Sequence, residues 1–216
     1  MVSDEVNFLM NKINYQKELD KLISELDGKV PKLMLHGCCA PCSSYCLEYL
    51  SKYFDITLLY YNPNISSYEE YLKRENEVKR LISLLPAEHE IKFLSVGYDS
   101  SEFEEMAKGL ENIPEGGARC FKCYEMRMRK AAELAKENSY DYFTTTLSIS
   151  PLKNSQKINE IGQKLEKEIG VSHLPSDFKK KEGYKRSIEL SHIYGLYRQN
   201  FCGCRFSKPA ENKDEV

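Results

Sequence analysis

Eight cysteines are the residues of this 216-residue chain with the clearest capacity for chemistry. Six of them form three tight groups, which are Cys38-Cys39, Cys120-x-x-Cys123 and Cys202-x-Cys204. Cys42 and Cys46 follow the first group. Cysteines that serve only as small core residues would be scattered along the chain, so this spacing predicts metal ligands or redox catalysts.

The first two groups together offer four thiolates. A disulfide between the neighbours Cys38 and Cys39 would force a distorted peptide, whereas the C-x-x-C pair of Cys120 and Cys123 can wrap one corner of a metal centre. Four thiolates suit a cubane iron-sulfur cluster or a tetrahedral zinc ion, and the C-x-x-C pair alone could be a thioredoxin-like redox pair. Four-cysteine zinc sites usually use two C-x-x-C pairs, so the adjacent cysteines favour the cluster.

The third group has two chemical interpretations and one structural interpretation. Cys202 and Cys204 can close a small, strained disulfide ring, whose reduction potential should be high, so that the dithiol cycles readily. Both thiolates could instead bind an additional metal ion beside the first centre. Packing of two small side chains is the remaining interpretation.

Alternating strands and helices are expected to position these groups. Short runs rich in β-branched and aromatic residues predict strands over residues 32–37, 55–62, 91–98 and 141–148. Charged runs with helical spacing predict helices over residues 4–27, 67–85, 101–110, 124–139, 155–170 and 184–199. This order predicts an α/β fold with a mostly parallel sheet flanked by helices.

A single α/β domain is expected over residues 1–216, because 41% of the residues are apolar and no long linker divides the chain. Residues 1–31 are expected to be a leading helical segment and residues 209–216 a polar tail. Residues 171–186 have the least regular pattern.

The predicted topology also places the cysteine groups. Ligands of open α/β sheets bind beyond the carboxyl ends of the strands, and Cys38 and Cys39 directly follow the first strand. The second group is expected just before the helix over residues 124–139, and the third group just after the last helix. His36, at the end of the first strand, is expected to be a hydrogen-bonded core residue, with a role as proton donor as the alternative.

The net charge of −2 hides an asymmetry, since residues 1–118 carry −8 and residues 119–208 carry +8. The basic part, with its run of lysines at residues 179–181, predicts a polyanionic partner. Two oppositely charged solvated surfaces without a binding function would give the same difference in charge. No stretch reaches the roughly 20 apolar residues of a membrane span, and the acidic N-terminus does not resemble a signal peptide. A soluble, cytoplasmic protein with reduced thiols and no membrane partner is therefore expected.

Three motifs together resemble the QueH-type epoxyqueuosine reductases, the cobalamin-independent enzymes of tRNA queuosine synthesis. The motifs are LHGCCAPCS, RCFKCYEMR and CGC, and the resemblance spans roughly residues 32–207 with the cysteine groups in the same order and spacing. It implies a nucleotide-hydrolase-like α/β sandwich related to the PP-loop enzymes. The partner it implies is tRNA carrying epoxyqueuosine, with an electron donor that the sequence does not identify.

The resemblance also implies functional residues. It implies a [4Fe-4S] cluster on Cys38, Cys39, Cys120 and Cys123. It implies a redox role for Cys202 and Cys204 and leaves an additional iron open. The implied reaction is reduction of epoxyqueuosine at the tRNA wobble position to queuosine with loss of water. Position 42 departs from the pattern, because it is Cys where some relatives carry Asp, and a second metal would therefore meet a different ligand here.

Two other functions fit parts of the sequence. A PP-loop-like iron-sulfur tRNA sulfurtransferase would need ATP, but the loop at residues 36–42 has one glycine and several thiols where a phosphate loop exposes backbone amides. A non-catalytic zinc-dependent RNA-binding protein would use the same cysteines. A zinc protein is colourless, whereas an iron-sulfur protein absorbs visible light.

Overall fold

Five short strands form one parallel sheet in the computed structural model, which describes residues 13–207. The strands are β1 (Lys32–His36), β2 (Asp55–Tyr60), β3 (Ile91–Ser95), β4 (Tyr142–Thr145) and β5 (Ser172–His173). Their order in the sheet is β3-β2-β1-β4-β5, with every neighbouring pair parallel. This confirms the predicted α/β class, and the order is that of doubly wound nucleotide-binding sheets.

Helices connect and flank the strands. They are α1 (Tyr15–Ser24), α2 (Ala40–Leu50), α3 (Tyr68–Leu84), α4 (Ser101–Ala107), α5 (Ala118–Glu137), α6 (Ser155–Ile169) and α7 (Gly183–Ile193). Short 3-10 turns cover Thr146–Ile149 and Arg205–Ser207. No helix within residues 13–207 has the length and apolarity required to cross a bilayer.

The structure corrects three sequence expectations. The segment 171–186 contains a fifth strand, which has only two residues and is therefore too short to show an alternating pattern. Helix α5 begins at Ala118, so the second cysteine group lies inside the helix and not before it, because Cys123 continues the buried stripe of that helix. Helix α7 ends at Ile193, short of the predicted residue 199, and Gly195 follows with a φ of +55°.

Two expectations lie partly or wholly outside the described residues. The predicted leading helix over residues 4–27 is observed as α1, where Asn14 caps the N-terminus by accepting a hydrogen bond from Lys17 N at 3.2 Å. Residues 4–12 of that prediction, and the polar tail at residues 209–216, are not described.

Both faces of the sheet are covered by apolar side chains, as parallel sheets require. In β1, Leu33 and Leu35 pack in the core cluster that includes α2, whereas Met34 packs in the cluster that includes α5. Because strand side chains alternate between faces, His36 points to the same side as Met34. The histidine at the end of β1 therefore faces α5.

The contact between α6 and β5 depends on a glycine. A Cβ atom at Gly162 would lie 2.3 Å from the ring of His173, which is 5% exposed. Helix propensity alone would make alanine the better residue at a helical position. Packing and propensity thus favour opposite outcomes at Gly162.

We predict that Gly162→Ala lowers the free energy of unfolding by about 1–3 kcal/mol, because overpacking outweighs the gain in helix propensity. Denaturant unfolding followed by circular dichroism measures the change. Gln163→Ala, at the exposed neighbouring position, is the control and should be neutral. A Gly162→Ala variant as stable as the wild type would contradict the packing of α6 on β5.

Candidate functional site

Cys38, Cys39 and Cys42 form a compact group of thiols at the carboxyl end of β1. Their sulfur atoms all lie within 4.8 Å of one another, and the Sγ atoms of Cys38 and Cys39 are 3.8 Å apart. Cys39 is extended and precedes the first residue of α2, so the first helical turn brings Cys42 back to the pair. Three thiols in this arrangement can hold a thiophilic metal.

Gly37 makes the close approach of this loop to the sheet possible. A Cβ atom there would lie 2.8 Å from Leu58 Cδ2, in the middle of β2. The loop is also tied to the 3-10 turn that follows β4, because the Cys38 N–H donates to Thr146 Oγ1 at 3.4 Å. The thiol group is therefore held by β1, β2 and this turn.

The three thiols differ in their pKa values. Hydrogen bonds from Cys39 and Cys42 hold the pKa of Cys38 well below its usual range. The same bonds raise the pKa of Cys39 to about 12 and that of Cys42 well above the ordinary thiol value. In protein without bound metal, Cys38 is therefore the most acidic of the three thiols, and its two neighbours are hydrogen-bond donors to it.

Four further cysteines line a second, smaller cavity of about 20 Å³. They are Cys120, Cys123, Cys202 and Cys204. Within α5, the thiol of Cys120 accepts a hydrogen bond from Gly116 N at 3.3 Å. Burial raises the pKa of Cys123 to about 11, although the positive charge of Arg127 opposes this effect.

A larger cavity of about 210 Å³ lies beside the second one and contains the first thiol group in its wall. Cys202, Lys153 and Glu115 line both cavities. Burial would lower the pKa of Lys153, but the sulfurs of Cys202, Cys38 and Cys42 together raise it. Lys153 is thus a cation at the junction of the two sets of thiols.

All six cysteines of the predicted groups line at least one of these two cavities. Among residues 13–207, the set of potential ligand atoms within 4.8 Å of one another consists of Cys38, Cys39 and Cys42, so Cys120 and Cys123 lie outside it. The sequence argument did not place Cys42 in the ligand set. The signal that could have shown it is the spacing of one helical turn from Cys39.

Cys46 is the eighth cysteine and lies outside both cavities. It is fully buried, and its thiol donates to the backbone oxygen of Cys42 at 3.3 Å. This residue is a packed core thiol, which makes it a useful control for the other seven.

The C-x-C segment is a loop that α3 holds in place. Arg74, 2% exposed, donates from Nη1 to the backbone oxygen of Cys202 at 3.1 Å. Ser66 N donates to the oxygen of Gly203 at 3.0 Å. Gly203 has a φ of +101°, and a Cβ atom there would lie 3.0 Å from both Arg74 Nη1 and Ile65 Cγ1. The glycine is required both by its backbone conformation and by the close approach of Arg74.

A buried network of Arg127, His36 and Asn62 joins α5 to the ends of β1 and β2. Arg127 is 1% exposed and donates to Asn62 Oδ1 at 2.7 Å and to His36 Nε2 at 3.3 Å, while its Nη1 lies 3.9 Å from Cys123 Sγ. Nδ1 of His36 lies 2.8 Å from Thr145 Oγ1, and Nε2 also lies 3.1 Å from the backbone oxygen of Tyr61. Nε2 therefore accepts from Arg127 in one tautomer of the neutral ring and donates to Tyr61 in the other. Arg127 and Asn62 were not among the predicted site residues.

His36 is neutral in this network. Burial, followed by the charge of Arg127, lowers its pKa to about 3. The side chain is fully buried and has hydrogen-bond partners at both ring nitrogens. These contacts are those of the core histidine expected from the sequence. With its pKa lowered to about 3, His36 does not carry the second proton of an imidazolium at neutral pH.

The lysine run at residues 179–181 is partly neutralised by neighbouring carboxylates. Lys179 lies 2.8 Å from Asp177 and Lys181 lies 2.6 Å from Asp20. Only part of the charge of this run is thus available to a polyanionic partner.

We predict that, in reduced and chelator-treated protein, Cys38 reacts with iodoacetamide faster than the other cysteines at neutral pH. Its rate should fall as the pH decreases through its lowered pKa. Cys42→Ala removes one hydrogen-bond donor, so the midpoint of this pH profile should move upward, as followed by mass spectrometry of the labelled peptide. Cys46→Ala is the matched control. A profile that does not move in the Cys42 variant would contradict the assigned hydrogen bond.

Comparison with known proteins identifies the family. Residues 33–210 match the family model described as epoxyqueuosine reductase QueH. Proteins named epoxyqueuosine reductase QueH from Staphylococcus epidermidis and Staphylococcus aureus are 44% and 42% identical to this chain, and each alignment covers 94% of it and 88% or 87% of the relative. The protein of that name from Thermotoga maritima is 34% identical over 81% of this chain and 89% of its own length. Because these matches extend over nearly all of the fold and all three cysteine groups, the chain belongs to the QueH epoxyqueuosine reductase family.

Proposed function

We propose that this protein reduces epoxyqueuosine at the wobble position of tRNA to queuosine. Two electrons and two protons are consumed, both carbon–oxygen bonds of the epoxide break, a carbon–carbon double bond forms in the ring, and the oxygen leaves as water. The observation that carries the proposal is the convergence of seven thiols on two adjoining cavities in a member of this family. The reaction belongs in the cytoplasm, where thiols are kept reduced.

The donor set fits a resident iron-sulfur cluster. Thiolates are the ligands that such clusters use, and the positive charges of Arg127 and Lys153 lie among these sulfurs and offset their negative charge. The cluster ligands in this proposal are Cys38, Cys39, Cys120 and Cys123. When bound, a [4Fe-4S] cluster supplies one electron at a time at a potential that its surroundings set.

Cys202 and Cys204 supply the two-electron step in this proposal. Oxidation of the two thiols to a disulfide releases two electrons and two protons, which is what the epoxide needs. An external electron donor then reduces the disulfide again. The position of Cys202 in the walls of both cavities supports this role, because one of its faces meets the larger cavity and another meets the cysteines of α5.

An additional iron is the second role open to these two cysteines. Cys42 supports it, because its thiol lies beside Cys38 and Cys39 and is left over when the cluster takes four other ligands. The two roles make different predictions for the iron content of variants.

We predict that anaerobic reconstitution with iron and sulfide gives a brown protein with at least about four iron atoms per chain. This protein should convert epoxyqueuosine to queuosine in tRNA from cells that lack the reductase, as measured by nucleoside analysis. Replacing Cys38, Cys39, Cys120 or Cys123 with Ala should lower the iron content and the visible absorbance, since each loss leaves an iron atom without its thiolate. Cys46→Ala should change neither.

Other outcomes would decide between the rival functions. A colourless protein that binds zinc and RNA would exclude the reductase. Transfer of sulfur to tRNA that depends on ATP would indicate a sulfurtransferase. Full cluster loading in two of the four ligand variants would refute the ligand assignment while leaving the reaction in place.

We predict that the double variant Cys202→Ala/Cys204→Ala keeps its cluster and its affinity for tRNA but loses turnover, because the two-electron relay is gone. Thiol trapping of the wild type should show two alkylatable sulfurs that disappear after a single turnover. If the pair instead binds an additional iron, the double variant should lose about one iron per chain, with no change in thiol count during turnover. Normal activity of the double variant would exclude both roles.

A further inference from the structure

The larger cavity contains polar groups that the cysteine chemistry does not use. It opens beside Cys38, Cys39, Cys42 and Cys202, and Arg74 and Gln199 also line it. Arg74 is 2% exposed, and two of its nitrogens are engaged, Nε with Glu70 at 2.7 Å and Nη1 with the Cys202 oxygen at 3.1 Å. Its Nη2 is buried and has no partner within residues 13–207.

Gln199 provides the complementary group. Its Oε1 is also buried and without a partner in the described part of the chain. Buried polar atoms in native proteins nearly always have a hydrogen-bond partner. An unpaired donor and an unpaired acceptor on two side chains that line one cavity therefore point to a polar occupant. That occupant must both accept and donate hydrogen bonds, as a hydroxyl group does.

Glu115 adds a negative charge to the wall of the same cavity. It is exposed and forms no ion pair or hydrogen bond with residues 13–207. The wall also carries the positive charges of Arg74, Lys153 and Arg198, so Glu115 is the carboxylate among its lining residues that can pair with a positively charged group of an occupant.

The size of the cavity limits what can enter it. Its volume of about 210 Å³ is below the roughly 300 Å³ at which pockets enclose a whole drug-sized ligand. A substituted five-membered ring fits, whereas a complete nucleoside must remain partly outside. At the mouth, Leu152 is 77% exposed and Tyr184 is 37% exposed, and both offer apolar surface to the flat face of a base.

We propose that this cavity is the subsite for the hydroxylated cyclopentane ring of the substrate, with Arg74 Nη2 and Gln199 Oε1 binding ring oxygens and Glu115 binding the amine that joins the ring to the base. The inference rests on the proposed function. It makes Gln199 and Glu115 specificity-determining residues, because unmodified guanosine carries neither the ring nor the amine. Arg74 has a second task in holding the Cys202 loop, so Gln199 and Glu115 are the informative positions for variants.

The test compares three anticodon stem-loop RNAs that differ only at the wobble base. One carries epoxyqueuosine, one carries 7-aminomethyl-7-deazaguanosine, which keeps an amine but lacks the ring, and one carries guanosine. Binding to the reconstituted protein is measured after Cys202 and Cys204 have been oxidised to the disulfide and without reductant, so that no turnover occurs. The wild type should bind the epoxyqueuosine RNA most tightly and the guanosine RNA least tightly.

Each variant should weaken the binding of a different subset of these RNAs. Gln199→Met, which keeps the side-chain length and removes the acceptor, should weaken binding of the epoxyqueuosine RNA about tenfold and leave the other two RNAs unchanged. Glu115→Gln should weaken binding of both amine-bearing RNAs about threefold, an effect that decreases with added salt. Glu111→Gln removes the same charge from the same loop but outside the cavity, so it should leave the binding of all three RNAs unchanged.

The outcomes separate this inference from the proposed function. If the wild type reduces epoxyqueuosine but Gln199→Met binds the modified RNA as the wild type does, the subsite is wrong and the unpaired atoms are satisfied by ordered water only. Equal losses on all three RNAs would indicate general damage to the loop and would also overturn the subsite. A wild type that neither reduces epoxyqueuosine nor distinguishes the three RNAs would refute the function itself.

Discussion

The burial of the Arg127 guanidinium is the constraint on which the arrangement of this site depends. A full positive charge removed from water costs several kcal/mol unless groups around it compensate. Here the hydrogen-bonding partners within residues 13–207 are the neutral side chains of His36 and Asn62 and the sulfur of Cys123. When the sulfurs of Cys123, Cys202 and Cys38 are ionised, their negative charge supplies the remaining compensation and raises the pKa of Arg127, against the effect of its burial. The helix, the two strand ends and the thiols are thus mutually dependent.

Two environments meet at one sulfur, that of Cys202. The cavity between α5 and the C-x-C loop is narrow and lined by four thiols, whereas the neighbouring cavity is ten times larger and lined by charged and amide groups as well. Cys202 and Lys153 belong to both walls. On the proposed function, Cys202 lies between the cysteines of α5 and the larger cavity, in which the organic ring is held.

Periodicity and spacing predicted the parallel sheet, four of its strands and the cysteines that line the cavities, because each of these is a pattern in neighbouring residues. What the sequence could not show are partners that are distant in the chain. His36 and Arg127 are 91 residues apart, and nothing local distinguishes Arg127 from other arginines of its helix. Strand β5 was missed because two residues show no alternation, and Cys42 was left out because its approach to Cys39 depends on where α2 begins.

Gly203 shows that the spacing of two cysteines is an incomplete description of a motif. Its left-handed backbone and its contact with Arg74 fix the directions in which the flanking residues leave the loop. A related chain with Ala, Ser or Asp between the same two cysteines would retain both sulfurs in its sequence but would have to rebuild the loop that presents them. Searches for proteins of this kind should therefore require the glycine, and a buried arginine one turn after an acidic residue in the third helix, before counting a C-x-C pair as functional.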